Sequence, residues 1–125
     1  MLTHPSHSSS ARSERRVLLV DDNADLAELT AEVLTLAGFA VLVAWSADEA
    51  IEMLAEHHVD VLFSDINMPG ASGLDLARAT NAQRPHVRVV LTSGRSFDDW
   101  ERAPPGTAFI AKPYVLQDLL ALLDG

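Results

Sequence analysis

Four places in this sequence hold side chains suited to chemistry on a charged oxygen species: Asp21-Asp22, Asp65, Thr92-Ser93 and Lys112. Lys112 is the only lysine in a chain of 125 residues with 18 acidic side chains. Each of the four follows a short apolar run, so all would sit where a strand ends. If those ends share one edge, three carboxylates, a hydroxyl and one ammonium group converge in a shallow cleft. Clustered carboxylates raise one another's pKa unless a cation intervenes. One lysine leaves a charge of about −2 to be neutralised, which suits a divalent ion. Oxygen ligands without Cys or His favour a hard cation, Mg²⁺ above all. Mg²⁺ and a lysine together would seat a phosphoryl group. Asp65 could then act as the nucleophile and form an aspartyl phosphate. Thr92 would be placed to hydrogen-bond a phosphoryl oxygen.

The elements that must position these groups are legible from apolar patterning. "VLLV" (17–20) is a continuous apolar run ending at Asp21-Asp22, the mark of a strand buried on both faces. Asn23 suits an N-cap, and the following helix sets Leu26, Leu29, Val33 and Leu36 on one stripe, with Gly38 at its C-terminal cap. "FAVLVAW" (39–45) reads as a second strand. Ser46 and Glu49 then fit a capping box opening a helix that carries Ala50, Met53 and Leu54 inward. "VDVLFS" (59–64) leads to Asp65, "DINMPGASG" is a loop and "LDLARAT" a helix. "VRVVLT" (87–92) and "TAFIA" (107–111) are the fourth and fifth strands, and "VLQDLLALLDG" closes the chain as an apolar helix. Between the last two strands, Pro104, Pro105 and Gly106 leave room for two helical turns at most. Strands alternating with helices imply a parallel sheet covered on both faces. Ligands of such sheets bind beyond the carboxyl ends of the strands.

Composition sets further bounds. Hydrophobic residues make up 48% and charged residues 22%, as in an ordinary single globular domain, with no cysteine for a disulfide or thiolate metal site. No apolar run approaches the roughly 20 residues needed to span a membrane. The formal charge is −9, and the first 16 residues are net basic. The body is therefore more acidic still, which argues against nucleic acid as a partner. Residues 1–15 are polar and Ser-rich, and are expected to form a flexible tail ahead of a domain over 16–125. A cytoplasmic location is expected.

The set "LLVDD", "DINMPG", "LTSG" and "FIAKPY" resembles the receiver domain of bacterial two-component response regulators, over residues 16–124. Four separated motifs stand in the family's order, each at an expected strand end. The resemblance implies a flavodoxin-like α/β sandwich with five parallel strands in order 2-1-3-4-5, here with a short or degenerate fourth helix. It makes Asp65 the phosphoacceptor. Asp22 and Asp65 would bind Mg²⁺ through carboxylates, and Asn67 through its backbone carbonyl. Asp21 would orient a metal-bound water. Thr92 would be the switch hydroxyl, Lys112 the phosphate-contacting lysine, Phe109 the switch aromatic, and Lys112-Pro113 a cis peptide. The implied function is that of a phosphoacceptor switch, not an enzyme in its own right. Its partners would be a histidine kinase or histidine phosphotransfer protein and a downstream effector. Because the chain stops after its last helix, no output domain of its own is expected.

Singly, each residue has a plainer reading. Asp21-Asp22 could favour a helix N-terminus, and Asp65 could cap a turn. Phe109 could simply be core, and a lone Lys-Pro a solvated loop. His57 and His58 are expected to finish a helix, and Trp45 and Trp100 to pack or give partial cover. Two other functions compete. A haloacid-dehalogenase-like phosphatase also uses an aspartyl nucleophile, but needs an acid two residues later, where Asn67 stands. A receiver-like docking module would bind a partner without phosphorylation. The segment 95–106 departs from the family pattern, which puts the partner surfaces of that region in doubt.

Overall fold

The computed structural model describes residues 15–94 and 102–125. Five strands form one parallel sheet in the order β2-β1-β3-β4-β5: β1 Arg16–Val20, β2 Ala40–Ala44, β3 Val61–Asp65, β4 Arg88–Ser93 and β5 Ala108–Ala111. Among the described residues the helices are α1 Ala24–Leu36, α2 Ala47–Glu56, α3 Gly73–Gln83 and α4 Leu116–Asp124. The flavodoxin-like sandwich and its strand order are as expected. Of the expected tail, residues 1–14 lie outside the described residues, whereas the Arg15 carbonyl accepts the Ala40 N–H at 3.1 Å. Of the segment expected to hold a short helix before Pro104, residues 95–101 also lie outside them.

Alternation along the strands divides the core between two layers. Leu18, Val20, Leu62 and Leu91 face α2 and α3, where Ala47, Ala50, Leu54, Leu76 and Ala77 complete a cluster. Val17, Leu19, Val61, Phe63 and Val90 face the other way, onto Ala27, Leu34, Leu119 and Leu123 of α1 and α4. Central strands β1 and β3 are almost wholly buried, which explains their unbroken Val/Leu runs. Burying one such side chain stabilises the fold by about 1.5–3 kcal/mol.

The caps are local. Asn23 accepts from the Leu26 N–H at 3.1 Å, and Ser46 from Glu49 at 3.1 Å. Glu49 reaches back one residue further than a capping box would, to the Trp45 N–H at 2.6 Å. A full capping box does form at α3, between Ser72 and Asp75. Gly38, just past α1, has φ 110°, a conformation that favours glycine.

Packing sets the azimuth of α1 and corrects one expectation, that for His58. The apolar stripe of α1 does not face the sheet: Leu29 is 59% and Leu36 82% exposed, while Ala27 and Leu34 are buried. Small alanines let the helix lie close against the sheet, which turns the leucine stripe sideways. His58 does not finish α2. The helix ends at Glu56 with His57 extended, and Asp60 draws the His58 ring into a 2.8 Å pair. Trp45 is 52% exposed, a partly covered ring. Trp100 lies outside the described residues.

Candidate functional site

The strand register brings the separated motifs to one edge. Asp65, the last residue of β3, stands opposite Thr92 of β4, and Ser93 opposite Ala111 of β5. The ladder continues past the strands: the Ile66 N–H donates to the Thr92 carbonyl and the Lys112 N–H to the Ser93 carbonyl, both at 2.9 Å. Asp21 follows β1 and donates its N–H to the Ala44 carbonyl of β2 at 3.1 Å. The chain turns outward at each of these points, so the side chains enter a common cleft.

Carboxylate oxygens of Asp21, Asp22 and Asp65 lie within 4.8 Å of one another. Asp21 and Asp65 are buried, and Asp22 is exposed. Lys112 Nζ donates to Asp65 Oδ2 at 2.8 Å and to Asp21 Oδ2 at 3.4 Å. The second oxygens are held from the backbone: Asp65 Oδ1 accepts from the Asn67 N–H at 3.0 Å, and Asp21 Oδ1 from the Asn23 N–H at 2.9 Å. Burial alone would lower the Lys112 pKa. The hydrogen bond and charge of Asp65, with those of Asp21, outweigh it and raise the pKa above 10.5. The lysine therefore stays charged at neutral pH, and its peptide bond to Pro113 is cis.

This donor set fits a hard divalent cation. One ammonium group faces three carboxylates, and oxygen is the only donor type in the cluster. Thr92 adds a second requirement. The residue is only 3% exposed, and its hydroxyl has no hydrogen-bond partner among the described residues. A buried, unpaired hydroxyl costs about 1–3 kcal/mol, a penalty that an incoming oxyanion would relieve.

Asn67 is exposed, and its amide donates to Ser93 Oγ at 2.6 Å across the mouth of the cleft. Phe109 is half-buried and packs on the α2/α3 layer. Sequence reasoning placed Ser93 at the end of the fourth strand without giving its side chain a role, and it missed Gly73. A Cβ on Gly73 would overlap the Asp65 carbonyl, so only glycine lets α3 start directly beneath the phosphoacceptor candidate. The available signal was a glycine inside a helix start, between the Ser72 cap and Leu74, where intrinsic propensity disfavours it.

A groove of about 680 Å³ adjoins the cleft between α1 and α4, lined by Leu26, Leu29, Val33, Tyr114, Leu116 and Leu119 among others. Lys112 and Gly94 form its end next to the acidic cluster. Tyr114 meets Phe63 edge-on at 6.0 Å, which fixes the loop after Lys112 against the core.

Comparison with known proteins agrees with this arrangement. The model of the response regulator receiver domain matches residues 17–124. The transcriptional regulatory protein PdtaR of Mycobacterium tuberculosis (strain CDC 1551 / Oshkosh) is 31% identical over 98% of this chain, which spans 62% of that relative. PrrA of Mycobacterium leprae is 36% identical over 87% of this chain, which spans 48% of it. Among solved structures, a response regulator receiver protein from Sinorhizobium medicae superposes with a TM-score of 0.82 at 29% identity, covering 87% of this chain and 90% of that one. TrrA of Thermotoga maritima, solved in complex with Mg(2+)-BeF, gives 0.75 at 25% identity, covering 87% and 98%. Fold, strand-end residues and sequence similarity agree over nearly the whole described chain, and the protein belongs to the response regulator receiver domain family.

Proposed function

We propose that this receiver domain, residues 16–125 behind a tail of 15, is a phosphoacceptor switch modified on Asp65. The observation that carries this reading is the pairing of Asp65 with Lys112 at 2.8 Å inside a cluster of two further carboxylates. A carboxylate oxygen of Asp65 attacks phosphorus. The bond from phosphorus to the donor's imidazole nitrogen breaks, and its electron pair returns to that nitrogen. Asp22, Asp65 and the Asn67 carbonyl would hold Mg²⁺, and Asp21 would orient a water bound to it. Bound Mg²⁺ supplies positive charge against the phosphoryl oxygens. Lys112 then exchanges its Asp65 contact for a phosphoryl oxygen, and the Thr92 hydroxyl gains its missing partner. Those two movements pull the ends of β4 and β5 inward and shift the population of the surface above them.

The donor is proposed to be a histidine kinase or a histidine phosphotransfer protein, and the reader of the switched surface a downstream effector. ATP-charged donors of this kind place the exchange in the cytoplasm. No helix among the described residues is long and apolar enough to cross a membrane. The groove between α1 and α4 supports a protein donor, because it offers apolar area beside the lysine. Leu29→Arg is expected to slow transfer from a phosphorylated kinase by roughly tenfold, the effect of losing one well-buried interface anchor. Phosphorylation by acetyl phosphate, which needs no docking, is expected to stay unchanged.

The test of the function itself is intact-protein mass after incubation with acetyl phosphate. A gain of one phosphoryl group with Mg²⁺, and none without it, is expected. If folded protein takes no phosphoryl group from acetyl phosphate or from a panel of histidine kinases, the docking-module reading replaces this one.

A further inference from the structure

Asn67 lies in the exposed turn that follows Asp65, and two hydrogen bonds tether it. One is local, from its own N–H to Asp65 Oδ1 at 3.0 Å. The other spans 26 residues of sequence, from its amide nitrogen to Ser93 Oγ at 2.6 Å. Ser93 is 2% exposed and ends β4, and its carbonyl accepts the Lys112 N–H at 2.9 Å. A single buried residue therefore holds the lysine arm by its backbone and the Asn67 arm by its side chain.

We propose that Ser93 is a positioning residue for the cation: through the Asn67 side chain it fixes the Asn67 backbone carbonyl in ligating position. The inference rests on the functional reading above. Mg²⁺ demands near-ideal octahedral geometry at about 2.0–2.1 Å, so a carbonyl on a loose turn is a poor ligand until something orders it. The local bond to Asp65 fixes the Asn67 N–H but leaves the far side of the residue to swing. Anchoring the amide on β4 restricts its side-chain torsions and, with them, the peptide that follows. The anchor is rigid because Ser93 is bonded into the sheet on both sides, to β3 through the Thr92 peptide and to Lys112 through its own.

Ser93→Ala takes away a single hydroxyl, and the Asn67 amide that it frees belongs to a residue exposed to water. Ser93→Ala is therefore expected to fold normally, with a melting temperature within a few degrees of wild type. Its Mg²⁺ dissociation constant, read by isothermal titration of the unphosphorylated protein, is expected to rise about tenfold, as when a supporting partner of a metal ligand is lost. Asn67→Ala keeps the backbone carbonyl but loses the tether, and is expected to weaken binding by the same factor. The double variant is expected to be no weaker than either single one, because both changes cut one link. Wild-type affinity in Ser93→Ala overturns the proposal, as does multiplication of the two effects in the double variant. Wild-type protein that binds no Mg²⁺ would overturn both this inference and the cation site itself. Wild-type binding with an unaltered Ser93→Ala affinity overturns this inference alone.

Discussion

Asp65→Asn is expected to abolish phosphoryl incorporation while leaving the domain folded. The amide oxygen of Asn carries no negative charge and is too weak a nucleophile to attack phosphorus, and no other carboxylate in the cluster has the same setting. Asp22 is exposed, and Asp21 faces the lysine at the longer distance of 3.4 Å. The effect on stability is a balance of opposed terms. The substitution removes the 2.8 Å ion pair with Lys112, but also the repulsion between Asp65 and two carboxylates within 4.8 Å. At an effective dielectric constant of about 20 each such term amounts to a few kcal/mol, and their signs are opposite. Lys112 is 23% exposed at its side chain, which weakens the pair term further. A net change within about 1 kcal/mol follows, visible as a melting temperature close to wild type. The check is mass spectrometry after acetyl phosphate and Mg²⁺ treatment, alongside a thermal melt. A phosphoryl gain in Asp65→Asn would move the acceptor to another residue. With Asp65 neutral, Lys112 also loses the main group raising its pKa, so that value should fall, measurable by NMR titration of the only lysine.

Gly73→Ala should be strongly damaging although it adds a single methyl group. The new Cβ would overlap the Asp65 carbonyl and stand 2.9 Å from Ile66 Cα, both backbone atoms that cannot turn aside. Alanine gains about 1 kcal/mol over glycine in helix propensity. Forcing backbone apart in a packed site costs about 1–3 kcal/mol and here falls at the top of that range, so the steric term wins. Either β3 retracts or α3 starts further out, and in both cases Asp65 leaves its place opposite Thr92. A displacement near 1 Å costs about 100-fold in a positioned reaction, so phosphorylation should slow by that order. Denaturant unfolding and the acetyl phosphate rate measure the two effects. Gly94→Ala is the control for stability, because a Cβ there meets nothing within 4 Å among the described residues and no loss is expected.

The sequence by itself determined the sheet and its chemistry-bearing edge. A run such as Val17–Val20 can only be satisfied with both faces covered, and strand, N-cap and turn preferences depend on neighbours a few residues away. Because parallel strands all end at one edge, Asp21, Asp65, Thr92 and Lys112 had to meet there once the strands were identified. The Ser72–Asp75 capping box was equally local, and readable in "SGLD", although "DINMPGASG" reads first as a turn.

Tertiary structure alone decided which way α1 faces, what Gly73 is for, and how Asn67 is held. Helical periodicity gives a stripe but not its azimuth. That depends on how closely Ala27 lets the helix approach Leu19 and Phe63, and here it leaves Leu29 and Leu36 in solvent. The close approach of Gly73 to the Asp65 carbonyl and the 2.6 Å bond from Asn67 to Ser93 join separate elements. Their distances follow from packing of the whole sheet. Local sequence specifies what each segment can form, whereas contacts between segments far apart in the chain exist only once the core has set their separation.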